Sequence, residues 1–165
     1  MATKGLYTYD YPRPMLTADC VVVNEKREVL LVRRGGEPFK GCWALPGGFM
    51  EMDETIEHCA VRELEEETGL KVSEKDIELI GVYSAPGRDP RGRTVTAAYA
   101  LTHPASLGHP SRGEGTESFL SPSPLSEGGG VRAGDDAAEV RWWPLDKLPP
   151  LAFDHTQIVA DACRG

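Results

Sequence analysis

The sequence predicts an α/β fold in which a mixed β-sheet is flanked by helices. Segments rich in β-branched residues alternate irregularly with segments of helical periodicity. Several neighbouring strand segments are joined by short turns, which leaves too few long crossovers for an all-parallel sheet. A chain of 165 residues with 40% hydrophobic content can bury a core of its own. We therefore expect one domain over residues 1–165.

The strands are identified by runs of Val, Ile, Leu and aromatic residues between turn residues. Ahead of them, Pro12 and Pro14 restrict residues 1–15, which we expect to form an extended arm. Residues 24–27 form the first turn, and Pro46-Gly47-Gly48 allows a sharp turn of the backbone. Strands are predicted over 18–23, 28–33, 43–45, 77–84, 93–101 and 137–143.

Two helices are predicted. The first covers 54–68, where Ile56, Ala60 and Leu64 form an apolar stripe and Gly69 provides a stop. After a helical turn at 144–148, the second covers 154–163 and begins with a capping-box pattern, Asp154 and Gln157. His155 could be a site residue, but an exposed position at the capped start of this helix is the preferred interpretation.

Residues 103–134 interrupt the pattern. Seven Gly, four Pro and six Ser occupy 17 of these 32 positions. A loop of that length inside a compact domain indicates either disorder or a functional lid. The composition favours disorder.

The first helix carries a cluster of carboxylates. Glu63, Glu66 and Glu67 point into a sector about 100° wide, and like charges four residues apart cost roughly 0.2–0.5 kcal/mol per pair. From Glu51 to Glu67 there are eight carboxylates and one arginine. Divalent cations explain such a cluster, and oxygen ligands suit Mg²⁺ or Mn²⁺. A solvated acidic helix face is the alternative.

The residues around this cluster resemble the Nudix box. That motif is Gly, five residues, Glu, seven residues, then Arg-Glu-apolar-any-Glu-Glu-any-Gly-apolar. Nine fixed positions at fixed spacing match without departure, a far more specific signal than a short glycine motif. The positions are Gly48, Glu54, Arg62, Glu63, Leu64, Glu66, Glu67, Gly69 and Leu70.

The resemblance implies a Nudix-type α/β/α sandwich and hydrolysis of a nucleoside diphosphate linked to another moiety. Carried over residue by residue, it makes Glu63, Glu66, Glu67 and the Gly48 carbonyl the ligands of Mg²⁺, with Mn²⁺ as the alternative. Arg62 would orient Glu63, and Glu54 would belong to the start of the helix. Of these positions, Glu63, Glu66, Glu67 and Arg62 are also predicted to be catalytic.

The general base is less well defined by the resemblance. Some Nudix enzymes take it from the box, where Glu63 could serve, and others from a later loop. Asp135, Asp136 and Glu139 lie near the end of the 103–134 segment and are the loop candidates. A solvated acidic loop end is the alternative for each.

Outside the box the sequence looks most like the ADP-ribose pyrophosphatase branch. Pro86 stands 16 residues beyond Leu70, where that branch often has proline, and segments 38–46, 82–92 and 151–155 resemble its archaeal and bacterial members.

Candidate substrate-binding residues fall in these segments and at one strand end. Phe39, Trp43 and Tyr83 could stack a base, although such residues are more often core residues or turn anchors. Candidates for phosphate contacts are Arg33, Arg34, Arg88 and Arg91. The last two are equally explained as solvated charges of a hairpin. Arg33 and Arg34 are adjacent on a strand, so only one of them is expected to enter the site.

Composition excludes several other classes. A net charge of −8 and a pI near 5.0 leave no basic stripe for nucleic acid. No run of 18 apolar residues predicts a membrane span. Four cysteines without a CxxC pair argue against zinc and favour free thiols in a reducing, cytoplasmic setting. The resemblance also implies a homodimer.

We expect a hydrolase that converts ADP-ribose to AMP and ribose 5-phosphate. Hydrolysis of NADH, another sugar nucleotide or an oxidised nucleotide is the alternative within the family. An ADP-ribose sensor without activity is the alternative from another class. Regulators of that kind tend to have eroded boxes and an appended DNA-binding domain, for which this chain has no room. The intact box therefore favours an enzyme.

Overall fold

A computed structural model describes residues 8–102 and 137–164 of the chain. The predicted insert at 103–134, the loop candidates Asp135 and Asp136, and the first seven residues of the predicted arm lie outside these ranges. The elements are β1 Met15–Val21, β2 Glu28–Arg34, β3 Trp43–Ala44, β4 Gly47–Phe49, α1 Ile56–Thr68, a short 3₁₀ turn Glu74–Asp76, β5 Ile77–Tyr83, β6 Thr94–Leu101, β7 Ala137–Pro144 and α2 His155–Ala162.

The strands form two sheets rather than one. The first has the order β4-β1-β6-β5 and is mixed, because β1 is parallel to β6 while its other neighbour, β4, is antiparallel. The second has the order β3-β2-β7 and is antiparallel. The predicted mixed sheet is confirmed, but its separation from a second sheet was not anticipated.

The two helices pack against different sets of buried side chains from the same strands. On β1, Ala18 and Cys20 pack with the α1 residues Ala60 and Leu64. Val21, the next residue along the strand, packs instead with Ile158 of α2. Because successive strand residues point to opposite faces, α1 and α2 cover opposite sides of β1. The predicted α/β fold is confirmed.

Local signals define both ends of α1. The Thr55 side chain accepts a hydrogen bond from the His58 N–H at 3.1 Å and caps the first turn. Gly69 ends the helix with φ = 76°, and its N–H donates to the Glu65 carbonyl at 2.8 Å. The helix begins two residues later than predicted, because Thr55 is the N-cap and its backbone is extended, with ψ = 162°.

The turn predicted at 144–148 is present as a single turn, closed by the Lys147 N–H on the Pro144 carbonyl. Two other local predictions were wrong. Asp154 makes no side-chain capping bond, because its carboxylate binds Arg88. Gly47 and Gly48 belong to β4, which pairs with β1, rather than to a free turn. Among the described residues, no helix is long and apolar enough to cross a membrane.

Candidate active site

A cleft lies between α1, β4, the β5–β6 loop and the start of α2. Four carboxylates line it, from Asp19, Glu63, Glu67 and Asp89. Three arginines also line it, Arg34, Arg88 and Arg91, together with the rings of Phe49, Phe153 and His155. The cleft thus combines an acidic wall with a wall of guanidinium groups and aromatic rings.

The acidic wall is formed by Glu63 and Glu67 of α1 together with β4. The Gly47 N–H donates to Glu67 Oε2 at 2.9 Å. The Glu63 carboxylate lies so close to Gly48 that a Cβ there would be 2.5 Å from its carboxyl carbon. Only glycine at position 48 therefore lets the backbone lie directly against Glu63.

Glu66 does not line the cleft, although the sequence groups it with the other two. On a helix, Glu67 lies about 40° from Glu63, whereas Glu66 lies about 60° away on the other side. The Glu66 side chain is 55% exposed and accepts a bond from Arg62 Nη1 at 3.3 Å. The predicted three-carboxylate cluster is in this structure a pair, with the third carboxylate outside the cleft.

Arg62 links several groups at the acidic wall through hydrogen bonds. Its Nε and Nη2 donate to the two carboxylate oxygens of Glu54 at 2.9 and 2.7 Å. Its Nη1 donates to Glu63 Oε1 at 2.8 Å, and its Nη2 also reaches the Phe49 carbonyl at 3.2 Å. Hydrogen bonds from Arg62 lower the pKa of Glu54 to about 2, so this ion pair persists throughout the neutral range.

The ligand chemistry of this wall suits a hard divalent cation. Glu63, Glu67 and the Gly48 carbonyl offer only oxygen ligands. Within residues 8–102 and 137–164, no three His, Cys, Asp or Glu side chains are grouped closely enough to hold a metal ion by themselves. Mg²⁺ is commonly held by one or two carboxylates, with water and substrate phosphate completing its shell. Two carboxylates beside a glycine backbone fit that pattern.

The rest of the cleft lining, called here the guanidinium–aromatic wall, combines guanidinium groups with aromatic rings and includes Phe49 of β4. Arg91 Cζ lies 4.9 Å from the Phe49 ring centroid and 5.5 Å from that of Phe153. Arg34 Cζ lies 5.0 Å from the Phe153 centroid. Phe153 has φ = 54°, a backbone conformation that is costly for a residue other than glycine and that tends to occur at functional sites.

Arg88 and Arg91 are both held by carboxylates. Arg88 forms a bidentate pair with Asp154, at 2.8 Å from Nε and 2.5 Å from Nη2, and its side chain is only 4% exposed. Arg91 binds Asp89 but remains 37% exposed. Arg88 therefore anchors the β5–β6 loop to the start of α2, and Arg91 is the more accessible cation.

The chain is similar to known proteins over most of its length. The NUDIX domain family matches residues 13–162. The chain belongs to the Nudix family. It is 40% identical over 154 residues to the ADP-ribose pyrophosphatase of Methanocaldococcus jannaschii, an alignment that covers 93% of this chain and 76% of that one. Enzymes of this family generally use divalent metal ions.

Two solved Nudix structures illustrate the range of related proteins. The NUDIX domain of Shewanella oneidensis NrtR, complexed with ADP ribose, superposes with a TM-score of 0.70 at 30% identity, covering 94% of this chain and 92% of that one. The bifunctional NMN adenylyltransferase/ADP ribose pyrophosphatase of Francisella tularensis, complexed with AMP and a manganese ion, gives 0.68 at 27%, covering 94% and 43%.

Not all predicted Nudix site residues lie at the cleft. Glu63, Glu67, Gly48, Arg34 and Arg88 line it. Arg33, as the strand geometry predicts, lies outside it.

Four other predicted residues lie away from the cleft lining. Trp43 is buried in the core against Trp143, with 5.2 Å between ring centroids, so it has no free face for a base. Pro86 is exposed on the β5–β6 loop. Phe39 reaches the cleft only through the edge of the Phe153 ring, and Glu139 is paired with Arg33 and Arg141.

The sequence reading missed Asp19 and Phe153, and it misplaced His155. Asp19 is a carboxylate inside an otherwise apolar strand, and it is 6% exposed. A buried charge of this kind costs several kcal/mol unless it is compensated. An aspartate within an apolar strand was therefore a sign in the sequence of a functional residue. His155 is only 3% exposed, so the prediction of an exposed His was wrong.

His155 makes the protein sensitive to acid. Burial lowers its pKa below the usual value, although the neighbouring Asp19 carboxylate opposes this. As pH falls through about 6.5, the unfolded chain takes up a proton that folded His155 resists, so stability decreases by up to about 1.4 kcal/mol per pH unit. Urea unfolding at pH 7.5, 6.5 and 5.5 should show this decline, and His155→Asn should flatten it. An equal decline in both proteins would assign the effect to other groups.

Proposed function

We propose that this chain is a Mg²⁺-dependent Nudix pyrophosphohydrolase that converts ADP-ribose to AMP and ribose 5-phosphate. The observation that carries the proposal is the intact box, whose Glu63 and Glu67 face one cleft beside Gly48. The 40% identity to an ADP-ribose pyrophosphatase over 93% of the chain supports the choice of substrate. Mn²⁺ is the alternative ion.

The acidic wall would hold the cation. Glu63, Glu67 and the Gly48 carbonyl are the proposed ligands, with Arg62 holding Glu63 in place. Glu66 is proposed to act indirectly, from outside the cleft, because it binds Arg62, which in turn holds Glu63. When bound, the cation neutralises charge that develops on the pyrophosphate oxygens during displacement.

Hydrolysis adds water across the phosphoanhydride bond. The water oxygen forms a bond to one phosphorus while the bridging P–O bond breaks, and one proton of the water must pass to a base. Of the two candidate bases that the structure describes, Glu63 lines the cleft and Glu139 does not. Asp136 lies outside the described residues and is retained as the loop alternative. The position of Glu63 supports its assignment.

The guanidinium–aromatic wall would bind the nucleotide. Arg91 offers an accessible cation for phosphate, while Phe153 offers a flat apolar surface to the same cleft. Arg34, whose Cζ lies 5.0 Å from the Phe153 ring centroid, extends this wall. Arg88, held by Asp154, is assigned to positioning Phe153 rather than to binding phosphate. Trp43 and Pro86 are not proposed as substrate contacts.

Truncating Phe153 should weaken substrate binding more than turnover. Phe153→Leu removes the ring contacts with Arg34 and Arg91, each worth about 0.5–1 kcal/mol, so we expect KM for ADP-ribose to rise about tenfold and kcat to change less than threefold. Steady-state kinetics would measure both. Tyr11→Leu is the control, because this exposed ring does not line the cleft. Equal KM values for the two variants would remove Phe153 from the proposed binding surface.

The function is tested by a substrate panel. ADP-ribose, NADH, NAD, ADP-glucose, diadenosine polyphosphates and 8-oxo-dGTP would be incubated with the full chain, with and without Mg²⁺. Mg²⁺-dependent release of AMP from ADP-ribose, preferred over the others, is the expected result. Preference for another compound would retain the family chemistry and reject the substrate. Binding of ADP-ribose without any turnover would favour the sensor, which the similarity to the NrtR NUDIX domain keeps as the second candidate.

We extend the proposal to assembly and location. A homodimer is carried over from the resemblance to this branch, and sedimentation of the full chain would test it. All four cysteines are free, two of them buried, which supports a reducing cytoplasmic setting.

A further inference from the structure

A buried histidine and a buried aspartate also line the cleft, and the proposed chemistry does not use either. His155 is the first residue of α2, and Asp19 is on β1. His155 Nε2 is 3.6 Å from Asp19 Oδ1, and the other oxygen, Asp19 Oδ2, accepts a bond from the Thr96 hydroxyl at 2.5 Å. Both side chains line the cleft from its floor.

The hydrogen bonds fix the state of the histidine ring. His155 Nδ1 lies 2.9 Å from the Leu45 backbone nitrogen, which must donate to it. Nδ1 is therefore unprotonated, and the neutral ring carries its proton on Nε2, facing Asp19. Asp19 thus favours the tautomer that leaves Nδ1 free to accept from Leu45.

The segment that His155 holds is the one that contacts the proposed metal ligand. Leu45 is followed by Pro46, whose carbonyl accepts from the Cys20 N–H at 2.9 Å, and by Gly47, whose N–H donates to Glu67 Oε2 at 2.9 Å. Three consecutive residues are therefore fixed by His155, by β1 and by Glu67. A shift at Leu45 would be transmitted to the Gly47 N–H within two peptide units.

We propose that His155 is a positioning residue, which acts through Leu45–Gly47 to hold the Glu67 carboxylate where it binds the divalent cation. Asp19 supports it by fixing the ring. The inference rests on the proposed function, because it assigns Glu67 to the metal site. It extends the catalytic apparatus from the box to α2, 88 residues further along the chain.

Mn²⁺ binding to the full chain, followed by electron paramagnetic resonance without any substrate, gives the first readout. Residues that orient ligands typically change metal affinity or activity by about 10–100-fold. His155→Leu should weaken Mn²⁺ binding by about that factor and lower kcat similarly. An unchanged Mn²⁺ affinity in a folded His155→Leu protein would overturn the proposal.

Two amide variants separate positioning from packing. His155→Asn keeps an acceptor at the place of Nδ1, whereas His155→Gln moves it one bond further from the backbone. We expect Mn²⁺ affinity within about threefold of wild type for Asn and a larger loss for Gln, at similar melting temperatures. Equal Mn²⁺ affinities in the two variants would contradict the proposal, and this comparison decides the matter if His155→Leu does not fold.

A double-mutant cycle tests whether the effect passes through Glu67. If it does, adding His155→Leu to Glu67→Gln should change the residual kcat by less than about twofold, although the same substitution has its full effect in wild type. A full additional loss would show that His155 acts elsewhere. A wild-type protein that binds Mn²⁺ but hydrolyses no nucleotide would reject the proposed function, while the Mn²⁺ affinities would still decide the positioning role.

Discussion

Glu67→Gln is expected to lower kcat for ADP-ribose by about 10²–10⁴-fold, with little change in stability. The amide removes the negative charge that the proposed cation needs, and a lost charge contact in such a site is worth several kcal/mol of barrier. The fold should persist, because the amide oxygen of Gln can still accept the bond from the Gly47 N–H. Turnover at saturating Mg²⁺ and thermal unfolding of both proteins would measure the two effects.

Glu65→Gln on the same helix is the matched control. Glu65 makes the same charge change when substituted, but its side chain is 48% exposed and pairs with Lys71 at 3.0 Å. Surface ion pairs of this kind are worth about 0–1 kcal/mol, so kcat should stay within about twofold of wild type. If Glu67→Gln behaves like Glu65→Gln, Glu67 is not a ligand that catalysis requires.

The box helix could be predicted closely because its signals are local. Thr55, the apolar stripe and Gly69 lie within the helix or next to it, and each acts through neighbours three or four residues away. The fixed spacing of Glu63 and Glu67 likewise places both carboxylates on one side of the helix. The spacing did not predict that Glu66, on a different side of the helix, points out of the cleft.

The rest of the site depends on contacts between distant parts of the chain. Arg88 meets Asp154 across 66 residues, and the Leu45 N–H meets His155 across 110. No periodicity or spacing rule connects such pairs. The failed capping box shows the consequence: a cap is worth about 1 kcal/mol, whereas leaving the buried Arg88 without its carboxylate would cost about 3–5 kcal/mol. The tertiary ion pair therefore determines the conformation of Asp154.

The short strand β4 was missed for a related reason. Two of its three residues are glycines, which have low strand propensity. It forms because Gly47 and Gly48 pair with Asp19 and Ala18 of β1 and because no side chain separates the backbones. Local propensity favoured a turn at these two glycines, but their backbone pairs with β1 and forms a strand instead.

The two glycines of β4 should respond to alanine in opposite ways. At Gly47 an added Cβ would lie 2.2 Å from the Ala18 carbonyl oxygen and 2.8 Å from the Asp19 Cα, atoms fixed in the centre of a sheet. Because the backbone must move, Gly47→Ala should destabilise the fold by about 3 kcal/mol.

At Gly48 the added Cβ would meet only the Glu63 carboxylate, at 2.5 Å, and this side chain can turn away. We expect Gly48→Ala to keep its stability within about 1 kcal/mol and to lose about 10²-fold in kcat, since small displacements of catalytic groups are costly.

Urea unfolding and kcat measured on both variants would separate the two effects, because each variant is the control for the other. A stable Gly47→Ala protein would mean that β1 and β4 can separate without cost, against the close pairing of their backbones. A fully active Gly48→Ala protein would mean that the Glu63 carboxylate can leave its place without consequence, and Glu63 would then be neither ligand nor base. A third outcome is that Gly48→Ala remains folded and loses activity and Mn²⁺ affinity together. Position 48 then requires glycine because only glycine lets the Glu63 carboxylate lie against the backbone. Flexibility of the backbone at this position is not needed to explain such a result.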